Sequence, residues 1–144
     1  MRRSPRHEPL GPGYRHATLW LRGQETVAAR VATTPPQQLA VTIITIEEVL
    51  GGWYTQVRRA RDDRQLARAY RALQQTVEFT RGIQLLPFDL PGIRRYRQLR
   101  TYHRRIGTND LRIAAIVLEQ HGILVTRNTT DFADIPGLQL DDWS

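Results

Sequence analysis

The chain has 144 residues, which is enough for one ordinary globular domain. It contains no cysteine, which excludes a disulfide framework, a thiolate metal site and a cysteine nucleophile. No apolar run approaches the roughly 18 to 20 residues that span a bilayer, so neither a membrane-spanning nor an exported protein is expected.

All of the basic residues are arginines, and the 21 of them outweigh 14 acidic residues to give a net charge of +7. A guanidinium group stays protonated and pairs bidentately with phosphate or carboxylate. The excess therefore fits a polyanionic partner such as RNA, or an acidic protein. A compositional bias toward arginine, with most side chains solvating helix faces, explains the same excess equally well.

The N-terminal part of the chain is predicted to hold an irregular segment and then a helix. Residues 1–15 are rich in arginine, proline and glycine, a composition that buries no core, and they are predicted to be disordered or non-native in register. Residues 16–32 place apolar side chains along one side of a helix, which Pro35 and Pro36 end. The folded domain is expected to span residues 16–144.

A strand and a helical hairpin follow. The β-branched run 39–44 predicts a buried strand. Thr45, with Glu48 three places later, has the pattern of a capping box that opens a helix. Residues 62–81 have the spacing of a long amphipathic helix, which we expect to pack as a hairpin against the helix that ends near Arg59.

The C-terminal half continues this alternation of strands and helices. The predicted elements are a strand at 83–88 ended by the turn at 91–92, a helix at 93–104, a turn at 107–110, a buried helix at 111–121, a strand at 123–126, a loop with one helical turn at 127–136, and a strand at 138–140. Strands that alternate with helices indicate an α/β fold with a mainly parallel sheet.

Oxygen-bearing side chains collect where the predicted strands end. Glu48 follows the first buried run, Asp110 begins the apolar helix, and Asn128 and Asp131 follow the strand at 123–126. Such a set, without His or Cys nearby, is what Mg²⁺ or Mn²⁺ prefers. Each residue has a structural alternative as a capping-box partner, a helix-dipole anion, a turn former or a short-helix cap, respectively.

Other catalytic classes lack their motifs. The chain has no G-x-S-x-G elbow, no P-loop and no G-x-G-x-x-G, which disfavours a triad hydrolase, an NTPase and a dinucleotide enzyme. The four histidines show no paired metal-ligand spacing.

Three sequence blocks carry a family resemblance. They are TIEEVLGG at 45–52, IGTNDLRIAA at 106–115 and LVTRNTTDF at 124–132. In this order, and followed by Ile-Pro-Gly-Leu and a terminal Asp-Asp-Trp, they resemble the PIN-domain family, and within it the VapC-type toxins of bacterial toxin–antitoxin pairs. The resemblance covers about three quarters of the chain and implies a three-layer α/β/α fold with a mainly parallel sheet.

The resemblance also implies an activity and a site. VapC-like proteins are cytoplasmic endoribonucleases that cleave RNA with a water activated by Mg²⁺ or Mn²⁺, form homodimers and are held inactive by a VapB-like antitoxin. By position, Glu48, Asp110 and Asp131 are expected to be catalytic, and these three with Asn128 to hold the metal. The expected supporting residues are Thr126 and Asn109, and the arginines expected to steer RNA are Arg104, Arg105, Arg112 and Arg127.

The N-terminus departs from this pattern. In the family, the first strand ends in an Asp that is a central metal ligand. Residues 16–23 resemble the sequence that normally follows this strand. This resemblance implies that Gly13 stands where the Asp belongs and Arg15 stands at the next acidic position. We therefore expect the first strand to be missing or altered, the neighbouring strands to be exposed along one edge, and nuclease activity to be weak or absent.

Two other functions remain open at this point. A catalytically inactive PIN-like module that dimerises or binds an antitoxin is the main alternative. A basic RNA-binding protein without a metal site also fits the charge, but it leaves the acidic blocks unexplained.

Overall fold

A computed structural model describes residues 17–19 and 32–143. Within these ranges the chain forms five strands, β1 Ala17–Leu19, β2 Leu39–Thr42, β3 Gln84–Leu86, β4 Ile123–Val125 and β5 Gln139–Asp141. The helices are α1 Ile43–Arg59, α2 Asp63–Phe79, α3 Leu90–Tyr102, α4 Thr108–Glu119 and α5 Thr129–Phe132, and a 3₁₀ turn at Pro36–Gln38 precedes β2. Residues 1–15, predicted to be disordered, lie outside the described ranges.

The five strands form one sheet in the order β3-β2-β1-β4-β5, and every neighbouring pair is parallel. This confirms the α/β fold with a parallel sheet. Parallel strands need a crossover between them, and helices supply it from β2 to β3, from β3 to β4 and from β4 to β5. The carboxyl ends of all five strands therefore lie along the same edge of the sheet.

The first strand, expected to be missing or altered, is present, so the expectation that it is missing is wrong. Ala17–Leu19 is the central strand, and Leu19 lies opposite Val41 of β2 and Val125 of β4. Residues 17–19 are therefore a strand, whereas the sequence pattern predicted a helix over 16–32. The edges of β2 and β4 that were expected to be exposed are both paired with β1. Pairing on both sides of this three-residue segment overrides its local pattern.

Helix α1 begins three residues earlier than the capping-box pattern predicted. Thr42 is the N-cap, and its Oγ1 accepts a hydrogen bond from the Thr45 amide at 3.0 Å. Ile43 and Ile44, predicted to end the strand, are the first two residues of the helix. The predicted cap at Thr45 and its capping box with Glu48 are therefore wrong. Thr42 caps the helix instead, because its hydroxyl accepts a hydrogen bond from an amide of the first turn.

Helix α3 also begins earlier than predicted. Asp89 is its N-cap and accepts a hydrogen bond from the Gly92 amide at 3.3 Å. Pro91 and Gly92 thus lie in the first helical turn rather than in a turn that ends β3. Proline fits there because the first amides of a helix have no intrahelical acceptor.

The core is built around α4, whose residues Leu111 and Ile113 to Val117 are all buried. They pack with buried side chains from β2, β3, β4 and the segment from α5 to β5, among them Ala40, Leu86, Leu124, Phe132 and Leu138. Helix α3 packs against α4, and Arg95 of α3 pairs with Glu119 of α4 at 2.7 Å. The apolar helix predicted at 111–121 is confirmed as the centre of the domain.

Helices α1 and α2 pack against each other, which confirms the predicted hairpin. Asp62 caps α2 by accepting a hydrogen bond from the Gln65 amide at 2.8 Å. Ala69 is buried, whereas Tyr54, Tyr70 and Val77 are exposed apolar side chains of the pair. In the described part of the chain no helix is both long and apolar enough to cross a membrane.

Candidate functional site

Two buried threonines mark the carboxyl edge of the sheet. Thr42 ends β2, and Thr126 directly follows β4. The Thr126 amide donates to the Asp141 carbonyl at 2.9 Å, and its Oγ1 accepts a hydrogen bond from the Asn128 amide at 3.0 Å. The hydroxyls of these threonines therefore fix the chain as it leaves the sheet. The role of Thr126 in supporting a metal site stays a prediction.

Glu48 lies six residues beyond the N-cap of α1, too far along the helix to cap it. Its side chain is half-buried and its Oε1 is buried, whereas the neighbouring Glu47 is exposed. Because residues four apart share a helix face, Glu48 lies one turn beyond the buried Ile44. The structure thus removes the capping alternative for Glu48 and directs its carboxylate inward.

Asp110 is the third residue of α4 after its N-cap, Gly107. Its Oδ2 lies 3.7 Å from the position that a Cβ atom would take at Gly107, so the half-buried carboxylate turns back toward the helix start. An anion at this place is stabilised by the helix dipole. Helix α4 ends shortly before β4 begins, so it runs back from the carboxyl edge of the sheet and its first turn, with Asp110, lies toward that edge. Glu48 lies in the second turn of α1, which starts at the same edge directly after β2 and contacts α4.

Asn128 and Asp131 form a local pair at the start of α5. The Asn128 Nδ2 donates to Asp131 Oδ2, and the Asp131 amide donates to Asn128 Oδ1 at 3.4 Å. Asp131 is exposed and lines a cleft beside Arg104 and Arg105. Across the described ranges, no three His, Asp or Glu side chains are grouped so that they could hold a metal ion.

The four arginines predicted to steer RNA have two different environments. Arg104, Arg105 and Arg127 are exposed. Arg112 is half-buried, and its guanidinium carbon lies 5.5 Å from the centre of the Tyr96 ring and 5.7 Å from that of Phe88.

Arg112 also reaches the start of α4. Its Nη1 donates to Asn109 Oδ1 at 3.4 Å. The Phe88 and Tyr96 rings that flank the guanidinium meet edge to face with centres 6.1 Å apart. Cation–π contacts of this kind stabilise a partly desolvated guanidinium. Arg112 therefore joins the first turn of α4, which carries Asp110, to α3.

Arg100 and Tyr96, both on α3, contact each other, and the sequence analysis did not predict this contact. Hydrogen bonding by the Arg100 guanidinium lowers the pKa of the Tyr96 phenol below 10.0, against the opposing effect of burial, and the charges of Arg100 and Arg112 lower it further. The i, i+4 spacing of the two residues on α3 is the signal that predicts their contact.

Comparison with known families decides the identity of the fold. The model of the PIN domain matches residues 19–138, more than four fifths of the chain. The chain belongs to the PIN-domain family. No curated protein matches its sequence.

Solved structures share the PIN fold over most of their length. A chain of the DNA-bound VapBC from Salmonella typhimurium covers 90% of this chain and 98% of its own length, with a TM-score of 0.71 and 20% identity. A chain of FitAB bound to the IR36 DNA fragment has a TM-score of 0.68 and 24% identity. It covers 89% of this chain and 96% of its own length. A chain of VapBC-1 from nontypeable Haemophilus influenzae has a TM-score of 0.66 and 22% identity. It covers 89% of this chain and 97% of its own length.

The central strand of this PIN domain corrects the assignment of Gly13 and Arg15 to acidic positions after the first strand. Both residues precede β1 in the chain, so neither follows it. The three residues that follow β1 in the sequence are Trp20, Leu21 and Arg22, and none is acidic. Residues 20–22 lie outside the described ranges, so the absence of the family's first Asp stays a prediction from the sequence.

Proposed function

We propose that the protein is a VapC-like toxin, an endoribonuclease that depends on Mg²⁺ or Mn²⁺ and whose activity is impaired. Membership of the PIN-domain family supports the class. The observation that carries the proposal is the inward-facing Glu48 on α1, a helix that starts at the carboxyl edge of the sheet and contacts α4, the helix that carries Asp110. The capping-box explanation does not apply to Glu48, because Thr42 rather than Thr45 is the N-cap of α1.

The described carboxylates do not by themselves fit a divalent ion. Mg²⁺ takes about six oxygen ligands and is held through carboxylates, yet no group of three acidic or histidine side chains forms within residues 17–19 and 32–143. Asp131 is engaged by Asn128 and lines the cleft beside the α3–α4 connection. In this proposal the chain therefore binds the metal weakly and cleaves weakly.

The chain's own cations supply RNA binding in this proposal. Arg104, Arg105 and Arg127 are exposed and attract the phosphate backbone through a salt-dependent electrostatic term. Arg112 positions Asn109 and the first turn of α4 through the contacts described above. In this proposal Arg112 positions the residues of the site and does not itself contact RNA.

We further propose an antitoxin as the partner. The solved PIN-fold neighbours include VapBC and FitAB complexes. The exposed apolar side chains of the α1–α2 pair, Tyr54, Tyr70 and Val77, lie on arginine-rich helices that suit an amphipathic, acidic partner segment. A homodimer in the cytoplasm completes the proposal.

Cleavage of labelled single-stranded RNA with and without Mn²⁺ tests the enzyme. We expect slow cleavage that EDTA stops and that Asp110→Asn and Glu48→Gln abolish. The exposed Glu47→Gln is the matched control and should cleave as the unmodified chain does. Equal loss in Glu47→Gln and Glu48→Gln would show that the buried carboxylate has no special role.

The second candidate function is a catalytically inactive PIN module that binds an antitoxin. The lack of a three-residue acidic group among the described residues favours it. Antitoxin binding that is unchanged by Glu48→Gln, together with no Mn²⁺-dependent cleavage by the unmodified chain, would establish this function. Mn²⁺-dependent cleavage by the unmodified chain, or no binding of an antitoxin by it, would exclude this function.

A further inference from the structure

A cleft of about 510 Å³ lies where the end of α3 and the connection to α4 face α5. The residues from its α3 side are Thr101, Tyr102, His103, Arg104, Arg105 and Ile106. Its other side is formed by Thr130, Asp131 and Asp134. One cleft thus combines an aromatic ring, two guanidinium groups and two carboxylates.

The α3 side of this cleft is held in place by Arg100. Its Nη1 donates to the carbonyl oxygen of Ile106 at 2.8 Å and to that of His103 at 3.2 Å. Hydrogen bonds from a charged donor to a connecting segment replace the contacts that regular secondary structure would otherwise supply. The segment that carries Arg104 and Arg105 is therefore ordered before any ligand arrives.

The opposite side is fixed to the sheet. Thr126 holds the Asn128 amide, and the Asn128 side chain in turn holds Asp131. Asp134 follows Asp131 by three residues and lines the same cleft with an exposed side chain. Since Asn128 engages Asp131, Asp134 is the carboxylate better placed to meet a ligand.

Tyr102 is the most exposed large apolar or aromatic side chain of the described residues, at 84%. An exposed aromatic ring on a residue that lines a cleft gives a flat surface on which a base can stack. The neighbouring Arg104 and Arg105 can pair with a phosphate. Stacking, phosphate pairing and a polar group for the base edge are the three elements by which proteins bind single-stranded RNA.

We propose that this cleft binds one guanosine nucleotide of a single-stranded RNA. Tyr102 stacks on the base, Arg104 and Arg105 pair with the phosphate, and Asp134 accepts hydrogen bonds from the base edge. A carboxylate only accepts hydrogen bonds, so it selects a base with donors. Guanine offers two adjacent donors, N1–H and the N2 amino group, which match the two oxygens. The inference rests on the proposed function, because it takes RNA as the substrate.

Binding of a labelled RNA hexamer in EDTA, followed by fluorescence anisotropy, tests this proposal without cleavage. The hexamer carries one guanosine among adenosines, and a second hexamer carries inosine there, which lacks the N2 amino group. We expect the unmodified protein to bind the guanosine hexamer about tenfold more tightly, and Asp134→Ala to remove the difference. Asp63→Ala, a change to an exposed residue of α2, is the control that should preserve it.

Tyrosine variants test the stacking contact. Tyr102→Ala should weaken binding of both hexamers about tenfold, whereas Tyr102→Phe, which keeps the ring, should bind as the unmodified protein does. Equal binding of the two hexamers by the unmodified protein, or no effect of Tyr102→Ala, would overturn the proposal. If the Tyr102 and Asp134 variants bind RNA normally but bind a protein partner more weakly, the guanosine proposal is wrong and the cleft is a protein-docking site.

The two proposals fail separately. Guanosine-selective binding in EDTA without any Mn²⁺-dependent cleavage contradicts the nuclease and leaves the cleft assignment intact. Cleavage that depends on Asp110, together with unselective binding, contradicts the cleft assignment alone.

Discussion

The Arg100 guanidinium donates a hydrogen bond of 2.8 Å to the carbonyl oxygen of Ile106. It also donates to the carbonyl of His103 and reaches Thr108 Oγ1 at 3.5 Å. A single side chain of α3 therefore sets the path of the connection that leads into α4. Because α4 carries Asp110 in its first turn, this contact links the geometry of the candidate site to α3.

Replacing Arg100 tests this link. Arg100→Ala should lower the free energy of unfolding by about 2 kcal/mol, because backbone carbonyls of the connection lose a charged donor. Arg97→Ala removes an exposed arginine of the same helix and should change stability by less than about 0.5 kcal/mol. Urea denaturation measures both. Equal effects of the two variants would show that the Arg100 contacts do not stabilise the connection.

Tyr96 gives the pH prediction. Hydrogen bonding by Arg100 lowers the pKa of its phenol below 10.0 in the folded protein. This contribution to stability is therefore present above pH 10.0 and is lost as the pH falls through the folded-state pKa. The free energy of unfolding of the unmodified protein, relative to Tyr96→Phe, should rise as the pH increases across this window.

Ultraviolet titration of tyrosinate checks the same shift directly. One of the five tyrosines should ionise at lower pH than an unperturbed phenol, and Tyr96→Phe should remove that early step. Arg100→Met should move the step to higher pH by removing the largest cause of the shift. An unchanged titration in Tyr96→Phe would assign the early step to another tyrosine and contradict the prediction.

Thr42 makes a prediction about the start of α1. Thr42→Ala removes the buried hydroxyl that accepts the Thr45 amide, and should lower the free energy of unfolding by about 1 to 2 kcal/mol. Thr42→Ser keeps the hydroxyl and should cost less. Thermal unfolding of the two variants compares them. A serine variant as unstable as the alanine variant would show that packing of the methyl group, rather than the cap, matters here.

The fold could be predicted from the sequence where local pattern and tertiary packing agree. The continuous apolar run of α4 is such a place, since its side chains are buried on several sides. The start of α1 was mispredicted because Ile43 and Ile44 favour a strand, while the cap at Thr42 selects a helix. The central strand Ala17–Leu19 escaped prediction because three residues carry no alternation, and pairing with both neighbours defines them.

The candidate site was predictable to a similar extent. The sequence blocks that contain Glu48 and Asp110 carry the family resemblance, and the two residues lie on α1 and α4, which contact each other. The sequence did not reveal that Arg112 lies against Phe88 and Tyr96, because that contact joins helices distant in the chain. The cleft beside Asp131 depends in the same way on the approach of α3 and α5.

We propose above that the protein is an impaired metal-dependent nuclease, and its sequence has no acidic residue among the three that follow β1. The most direct measurement compares Mn²⁺-dependent RNA cleavage by the unmodified chain, by Trp20→Asp, which places a carboxylate directly after β1, and by Trp20→Asp combined with Asp110→Asn. We expect slow cleavage by the first, faster cleavage by the second and none by the third. Rapid cleavage by the unmodified chain that Trp20→Asp does not increase would contradict the account.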